Sequence, residues 1–383
     1  MKILIVLTYY HPHISGLTIY VERLVRSLAR KGHHVTVLTS RFDSTLRLHE
    51  IMDGVNVVRH PVAFRCSKGV IMPGFLAHAL WLMMCHDVTS VHLPQAEGGA
   101  LAFLGRLLAR KPVVLTYHCD LQLPPGLFNR VVDRMVFAST MLAGLFANRI
   151  VAYTQDYADN SPFLARFLNK IRVIYPPVEM PLPDPCAVVA LKVRHHAEGC
   201  PIVGFAARFA EEKGIDYLID SIPLVAAQFP DVRFFLAGDT DRVIGENVWE
   251  RLQPRIEANR RQIKILGAIP NREMGNFFGA CDLLIVPSIN STESFGLVQV
   301  EAMLCGCPVV ASNLPGVRVP VQVTGMGEIV PIRDGRALAD AIVLVLRNRE
   351  SYIKPRPQIA GTFELSNTVA TYEKLFAECI ESG

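Results

Sequence analysis

Two carboxylates eight residues apart, Glu293 and Glu301, stand in the run Asn290-Ser-Thr-Glu-Ser-Phe-Gly-Leu-Val-Gln-Val-Glu-Ala-Met-Leu-Cys-Gly-Cys-Pro-Val-Val-Ala-Ser312. Glu293 lies in polar sequence ahead of a helical pattern, and Glu301 lies inside that pattern among Val298, Val300, Ala302, Met303 and Leu304. A carboxylate among apolar neighbours is costly unless donors reach it. The two hydroxyls of a vicinal diol, as on a ribose, would supply them. At the helix start the N–H groups of Phe295, Gly296 and Leu297 lack intrahelical acceptors, which favours an anion or polar ligand. Gly296 has no side chain to hold a ligand off the backbone. Taken singly, each glutamate also fits a solvent-facing position, with Ser294 as a helix N-cap. Spacing, glycine and flanking strands together favour a site.

The flanking elements explain the placement. Asp282-Leu-Leu-Ile-Val-Pro287 reads as a buried parallel strand, Gly306 as a helix stop and residues 308–311 as a second strand. Glu293 then falls at the carboxyl end of a strand, where open α/β sheets hold their ligands. A strand over 202–207 ends likewise in Arg208-Phe-Ala-Glu-Glu-Lys-Gly214, ahead of a helix over 215–228. Arg208 and Lys213 in one such loop can neutralise a leaving diphosphate without a metal. Ordinary loop ion pairs with Glu211 and Glu212 are the alternative.

In the first half, a strand over 113–117 ends in His118, with Asp120 two residues on. A lone strand-end histidine is more often structural; the motif in the second half favours a site here. The loop after the first strand, Tyr9-Tyr-His-Pro-His-Ile-Ser-Gly-Leu17, puts Gly16 at a helix start, where backbone N–H groups can approach a phosphate. A turn glycine with no ligand is the alternative there. No Gly-x-Gly-x-x-Gly follows the first strand, so a dinucleotide-binding dehydrogenase is disfavoured.

The stretch Glu293-Ser-Phe-Gly-Leu, Glu301-Ala-Met and Gly306-Cys-Pro-Val-Val-Ala311 resembles the Glu-x7-Glu signature of retaining glycosyltransferase family four. The resemblance extends over nearly the whole chain. It implies the GT-B fold, two Rossmann-like doubly wound parallel-sheet domains facing a central cleft. It further implies retaining, metal-independent transfer of a hexose-type sugar from a UDP- or GDP-sugar, with no further cofactor. By that resemblance Glu301 binds ribose hydroxyls. Glu293, Ser294 and the backbone of Phe295, Gly296 and Leu297 hold sugar and diphosphate. Arg208 and Lys213 meet the departing diphosphate, Gly16 lies on the diphosphate side and His118 lies beside the sugar. The family usually has a glycine pair where this chain has Ser15-Gly16, so only Gly16 carries over. Two rival functions use the same fold: a non-catalytic sugar-nucleotide binder and a sugar-nucleotide epimerase.

Periodicity extends the same architecture. Strands are expected over 2–8, 34–39, 55–59, 88–92, 113–117, 149–153 and 172–174, with helices near 17–31, 73–86, 98–110, 126–147 and 157–168. Five prolines between Tyr175 and Pro185 mark a stiff connector, followed by a helix over 188–196. Strands over 232–237, 263–267 and 327–330 and a helix over 337–347 complete a second sheet. The domains expected are 1–178 for the acceptor, 179–365 for the nucleotide sugar, and 366–383 as a helix crossing back.

At 383 residues the chain is long enough for two cores. Its nine cysteines form no Cys-x-x-Cys pair, which suits buried thiols in a reducing cytoplasm. Residues 1–178 hold 19 Lys and Arg against 10 Asp and Glu, leaving 20 against 25 in residues 179–383. Together with Arg130 and Arg134 in the apolar run 121–146, that basic half fits peripheral contact with an anionic membrane on its inner face. A glycan or lipid-linked acceptor would be met there, and no nucleic acid partner is expected. The same run also fits a long core helix beside an acceptor loop. Residues 69–86 carry no Asp, Glu, Lys or Arg, a run long enough to raise a membrane span, yet Pro73, Gly74 and His78 favour a buried helix.

Overall fold

The computed structural model describes residues 1–66, 69–123, 126–240 and 247–382. Of the expected features, Pro124 and Pro125 lie outside the described residues. The chain divides into two compact units. Unit 1 is Met1–Pro177 with Leu365–Gly383, and unit 2 is Val178–Glu364.

Unit 1 contains β1 (Lys2–Val6), β2 (His34–Arg41), β3 (His49–Met52), β4 (Val55–Pro61), β5 (Phe64–Cys66), β6 (Gly69–Ile71), β7 (Val88–Leu93), β8 (Val113–Tyr117), β9 (Arg149–Ala152) and β10 (Ile171–Val173). Eight of these form one sheet in the order β10-β9-β8-β7-β1-β2-β4-β3. Its pairings are parallel except β3 with β4. Strands covered on both faces read as unbroken apolar runs, and β8 is buried at all five positions. β3 and the small β5–β6 hairpin were not expected. They are short antiparallel additions, and the exposed Ile51 and Phe64 give them no buried stripe to read.

The uncharged helix expected to be buried spans Phe75–Cys85 and covers the core with Phe75, Ala79, Leu82 and Met83. It nevertheless exposes Trp81 and Met84, because lack of charge does not bury the outer face of a helix packed on one side only. The segment expected as one helix over 98–110 is an α-helix, Gly98–Phe103, continued by a π-turn, Leu104–Leu108. No helix among the described residues is long and apolar enough to cross a membrane.

Unit 2 contains β11 (Ile202–Ala206), β12 (Arg233–Ala237), β13 (Ile263–Gly267), β14 (Leu283–Val286), β15 (Val309–Ser312) and β16 (Gly327–Val330), all parallel in the order β13-β12-β11-β14-β15-β16. Its first helix begins at Pro185, three residues ahead of the expectation. Asp184 accepts from the Cys186 amide, and a proline suits the first helical turn, where its missing N–H is no loss.

The last helix, Leu365–Glu381, belongs to unit 1 and buries Thr368, Val369, Tyr372, Leu375, Phe376 and Cys379 at helical spacing. The Tyr372 hydroxyl shares hydrogen bonds with Tyr20 at 2.6 Å and Thr116 at 2.9 Å, all inside the unit. At its edge Glu373 pairs with Lys31 and His33. Tyr372→Phe leaves two buried hydroxyls short of a partner and should cost about 1–3 kcal/mol. An unchanged urea midpoint for the full chain would remove this anchor from the account.

Candidate active site

In unit 2 the loops after the adjacent strands β11 and β14 are drawn together by a glycine. Gly214 has φ +67°, and a Cβ there would lie 1.9 Å from the Pro287 carbonyl oxygen. The Ile289 amide donates to the Glu212 carbonyl at 3.0 Å across the same seam. Gly238 does the equivalent between the loops after β12 and β11, where a Cβ would meet the Ala207 carbonyl oxygen at 1.9 Å.

This seam brings Lys213 Nζ to 2.5 Å from Glu293 Oε2, with the two side chains 21% and 19% exposed. Burial by itself pulls the Lys213 pKa down. The charge and hydrogen bond of Glu293, helped by Glu212 and opposed by Arg208, carry it above the ordinary lysine value. Lys213 is therefore cationic throughout the neutral range. Arg208 Nη2 lies 3.6 Å from Glu212 Oε1 and is 55% exposed, a loose contact that leaves the guanidinium at the rim.

The helix after β14 spans Leu297–Leu304 with Gly296 at its N-cap in the left-handed region, so Ser294 is not the cap. Ser294 is itself buried. Among the described residues the amides of Gly296 and Leu297 donate to no carbonyl. Phe295 turns its ring inward, edge-on to Phe363, so only its backbone is available to a ligand. Gly296 also has a structural reason to be glycine. A Cβ would meet Gln299 Nε2 at 2.7 Å, and that buried amide donates to the Phe295 and Val317 carbonyls. Glu301 is 8% exposed in the middle of this helix.

In unit 1, Gly16 opens the helix Gly16–Arg30, capped by reciprocal bonds between Ser15 and Thr18. Ser15, in place of the family's second glycine, thus serves the helix. No atom lies within 4 Å of a Cβ built on Gly16, so packing inside the chain does not demand a glycine there.

His118 follows β8, and its ring lies inside the unit at 5% exposure. Its Nε2 shares a hydrogen bond with His92 Nδ1 at 2.8 Å, and its Nδ1 shares one with the Tyr153 hydroxyl. Tyr20 packs edge-on against it and stacks on Tyr153. The sequence reading set this ring beside the sugar. In the structure, contact between either nitrogen and a ligand requires exchange of one of these bonds. Sequence reasoning missed His92 and Tyr153, which lie 26 and 35 residues away in the chain. No cluster among the described residues could hold a metal ion.

Residues 14–180 match the model described as Glycosyltransferase Family 4, and residues 191–359 match that described as Glycosyl transferases group 1. The chain is a GT-B glycosyltransferase. It is 23% identical to the phosphatidyl-myo-inositol mannosyltransferase of Mycobacterium leprae, over all of this chain and 98% of that one. It is 28% identical to the 2-deoxystreptamine N-acetyl-D-glucosaminyltransferase of Streptomyces fradiae, over 91% and 88%. Among solved structures, Anabaena HepE in complex with UDP-glucose shares the fold at a TM-score of 0.78 and 20% identity, over 99% of this chain and 100% of that one.

Burial pushes the His118 pKa well below its ordinary value, with His92 adding to the shift, and burial brings His92 down to about 3. An unfolded histidine titrates near 6.5, so the unfolded chain binds more protons below that pH. Stability from these two rings is fully present above 6.5 and is lost as pH falls toward 3, by about 1.4 kcal/mol per pH unit for each ring. Thermal unfolding from pH 7 to 4 should show this slope, and His92→Gln should flatten it. An equal slope in the variant would refute the assignment.

Proposed function

We propose that the enzyme transfers a hexose-type sugar, with retention, from a UDP- or GDP-sugar to a hydroxyl of a glycan or lipid-linked acceptor. The observation that carries this is the Lys213–Glu293 pair beside Arg208, held by two loops at the carboxyl edge of one parallel sheet. Arg208 and Lys213 take the diphosphate, whose negative charge grows as the sugar leaves. The Gly296 and Leu297 amides add donors to its oxygens, and Gly16 offers backbone from unit 1. Glu293, released from Lys213 by the diphosphate, accepts from sugar hydroxyls, and Glu301 accepts from the ribose diol. His118 and its hydrogen-bonded partners border the sugar in unit 1. Charge neutralisation by two side-chain cations makes a metal unnecessary. The acceptor attacks from the face the diphosphate leaves, and the leaving oxygen takes its proton. Exclusion of water keeps the donor from hydrolysis.

The activities of the two relatives support hydroxyl-bearing acceptors, one carried on a lipid and one an aminocyclitol. The proposed membrane contact rests on the helix Leu127–Phe146. Leu127, Phe128, Val131, Met135, Leu142 and Leu145 are exposed along it, next to the exposed Arg130 and Arg134. Such a face suits the headgroup boundary of an anionic bilayer.

A UDP- or GDP-sugar should raise the thermal midpoint by mass action, since it binds only the folded chain. With that donor at saturation, Lys213→Ala should lower turnover by about 10²–10³-fold while the fold remains intact. Wild-type turnover in the variant would reject the assigned role. Separately, the protein should co-sediment with phosphatidylserine-containing liposomes at low salt, and Met135→Glu should abolish this. Binding that survives the substitution would move the contact elsewhere.

A further inference from the structure

The carboxyl ends of β7 and β8 carry two polar side chains with no role so far. In the order β8-β7-β1-β2, β1 is flanked on opposite sides by its successor β2 and by β7, and a crevice opens at such a reversal. Gln95 lies just past β7 in this crevice and is 5% exposed. Its Oε1 accepts from Thr8 Oγ1 at 3.5 Å, a long and weak contact, and its buried Nε2 has no partner. The backbone around it is fixed. Gly98 N donates to the Gln95 carbonyl, and Ser139 Oγ accepts from Gly99 N and donates to the Ala96 carbonyl. A buried amide donor without an acceptor is destabilising, and the crevice it borders is where a ligand would supply one.

On the neighbouring strand end, Asp120 is held by one oxygen only. Tyr117 and Ser161 donate to Oδ1 at 2.9 and 2.7 Å, and the Asp120 amide donates to the Tyr157 hydroxyl at 2.7 Å. Tyr117, Tyr157 and Ser161 are buried, so the carboxylate is set by rigid neighbours, while Oδ2 accepts no hydrogen bond among the described residues. Leu93 of β7 pairs with Tyr117 of β8, which places Gln95 and Asp120 on adjacent loops at one rim.

We propose that Asp120 and Gln95 form the hydroxyl-binding pair of the acceptor subsite, and that the acceptor presents a ring polyol. One ring hydroxyl donates to Asp120 Oδ2. The oxygen of another accepts from Gln95 Nε2 once that side chain turns away from its long contact with Thr8. The inference rests on the reading of unit 1 as the acceptor side. A ring polyol can arrive free or as a lipid headgroup, and the test separates the two.

Transfer from the stabilising nucleotide sugar is measured with myo-inositol 1-phosphate, 2-deoxystreptamine and phosphatidylinositol in phosphatidylcholine vesicles as acceptors. Use of a soluble probe or of the vesicles identifies the source. With the probe used, Asp120→Asn, which keeps Oδ1 and turns Oδ2 into a donor, should raise acceptor KM about tenfold or more with donor KM within about twofold. Gln95→Met keeps the side-chain length and removes the idle donor. It should raise acceptor KM similarly and raise Tm by about 2 °C, the opposite of what loss of a structural glutamine does. Unchanged acceptor KM in either variant, or a lowered Tm in Gln95→Met, overturns the pair. No transfer to any probe by a wild type that still binds donor rejects the ring-polyol subsite alone. Absence of donor binding rejects the proposed function itself.

Discussion

The interaction on which unit 2 depends is the close passage of two loops that lets a lysine and a glutamate meet. Lys213 and Glu293 are 80 residues apart in sequence, and nothing local brings them together. The parallel pairing of β11 with β14 sets their loops side by side. Gly214 then removes the side chain that would force the loops apart, since any Cβ there would overlap the Pro287 carbonyl. Three levels therefore act in series: strand pairing fixes the neighbourhood, one glycine closes the gap, and the ion pair occupies the closed seam. The same device recurs at Gly238, so the loops after β12, β11 and β14 form a continuous rim along one edge of the sheet.

Unit 1 solves a different problem. Its central strands end in polar side chains that are buried, and each must find a partner. His92, His118 and Tyr153 satisfy one another, while Tyr20, Thr116 and Tyr372 form a second set a few ångströms away, linked through the Tyr20 ring. Tyr372 comes from the last helix, so the polar interior of unit 1 is complete only when the end of the chain has docked. At this rim Gln95 keeps a buried amide nitrogen with no partner, and the half-buried Asp120 has an oxygen that accepts no hydrogen bond among the described residues. On the proposed reading, this leftover capacity faces the acceptor.

Much of this was legible in the amino-acid sequence, and the limits have physical causes. All six strands of unit 2 and seven of unit 1 are expected from the sequence; the central ones read as apolar runs because they are buried along their length, while the edge strands β10, β13 and β16 are only partly buried. The edge strand β3 exposes alternate residues and has no such signature. Arg208, Lys213 and Glu293 follow strand ends and Glu301 lies in the next helix, a placement that local sequence carries; the structure adds the contact between Lys213 and Glu293. The partners of His118 were not, because a contact between residues on three different strand ends exists only after the sheet has formed. Gly214 and Gly238 illustrate the same limit: the sequence shows a glycine, and only the folded chain shows the carbonyl it must approach.

The Lys213–Glu293 pair also settles what the protein must do with a half-buried cation before any substrate arrives. Burial alone lowers the pKa of a lysine there and weakens its hold on the proton. Glu293 reverses that tendency and keeps the charge in place. The arrangement has a cost, since a ligand anion must displace the carboxylate before it can use the lysine. A diphosphate, with more than one negative charge and with Arg208 nearby, is suited to that exchange, whereas a neutral sugar is not. If the carboxylate then turns to sugar hydroxyls, the ion pair is a competition that links recognition of the two halves of one donor. On the proposed reading, a nucleoside diphosphate releases Glu293 without occupying it and a free sugar does not release it, so only the joined molecule engages both residues at once.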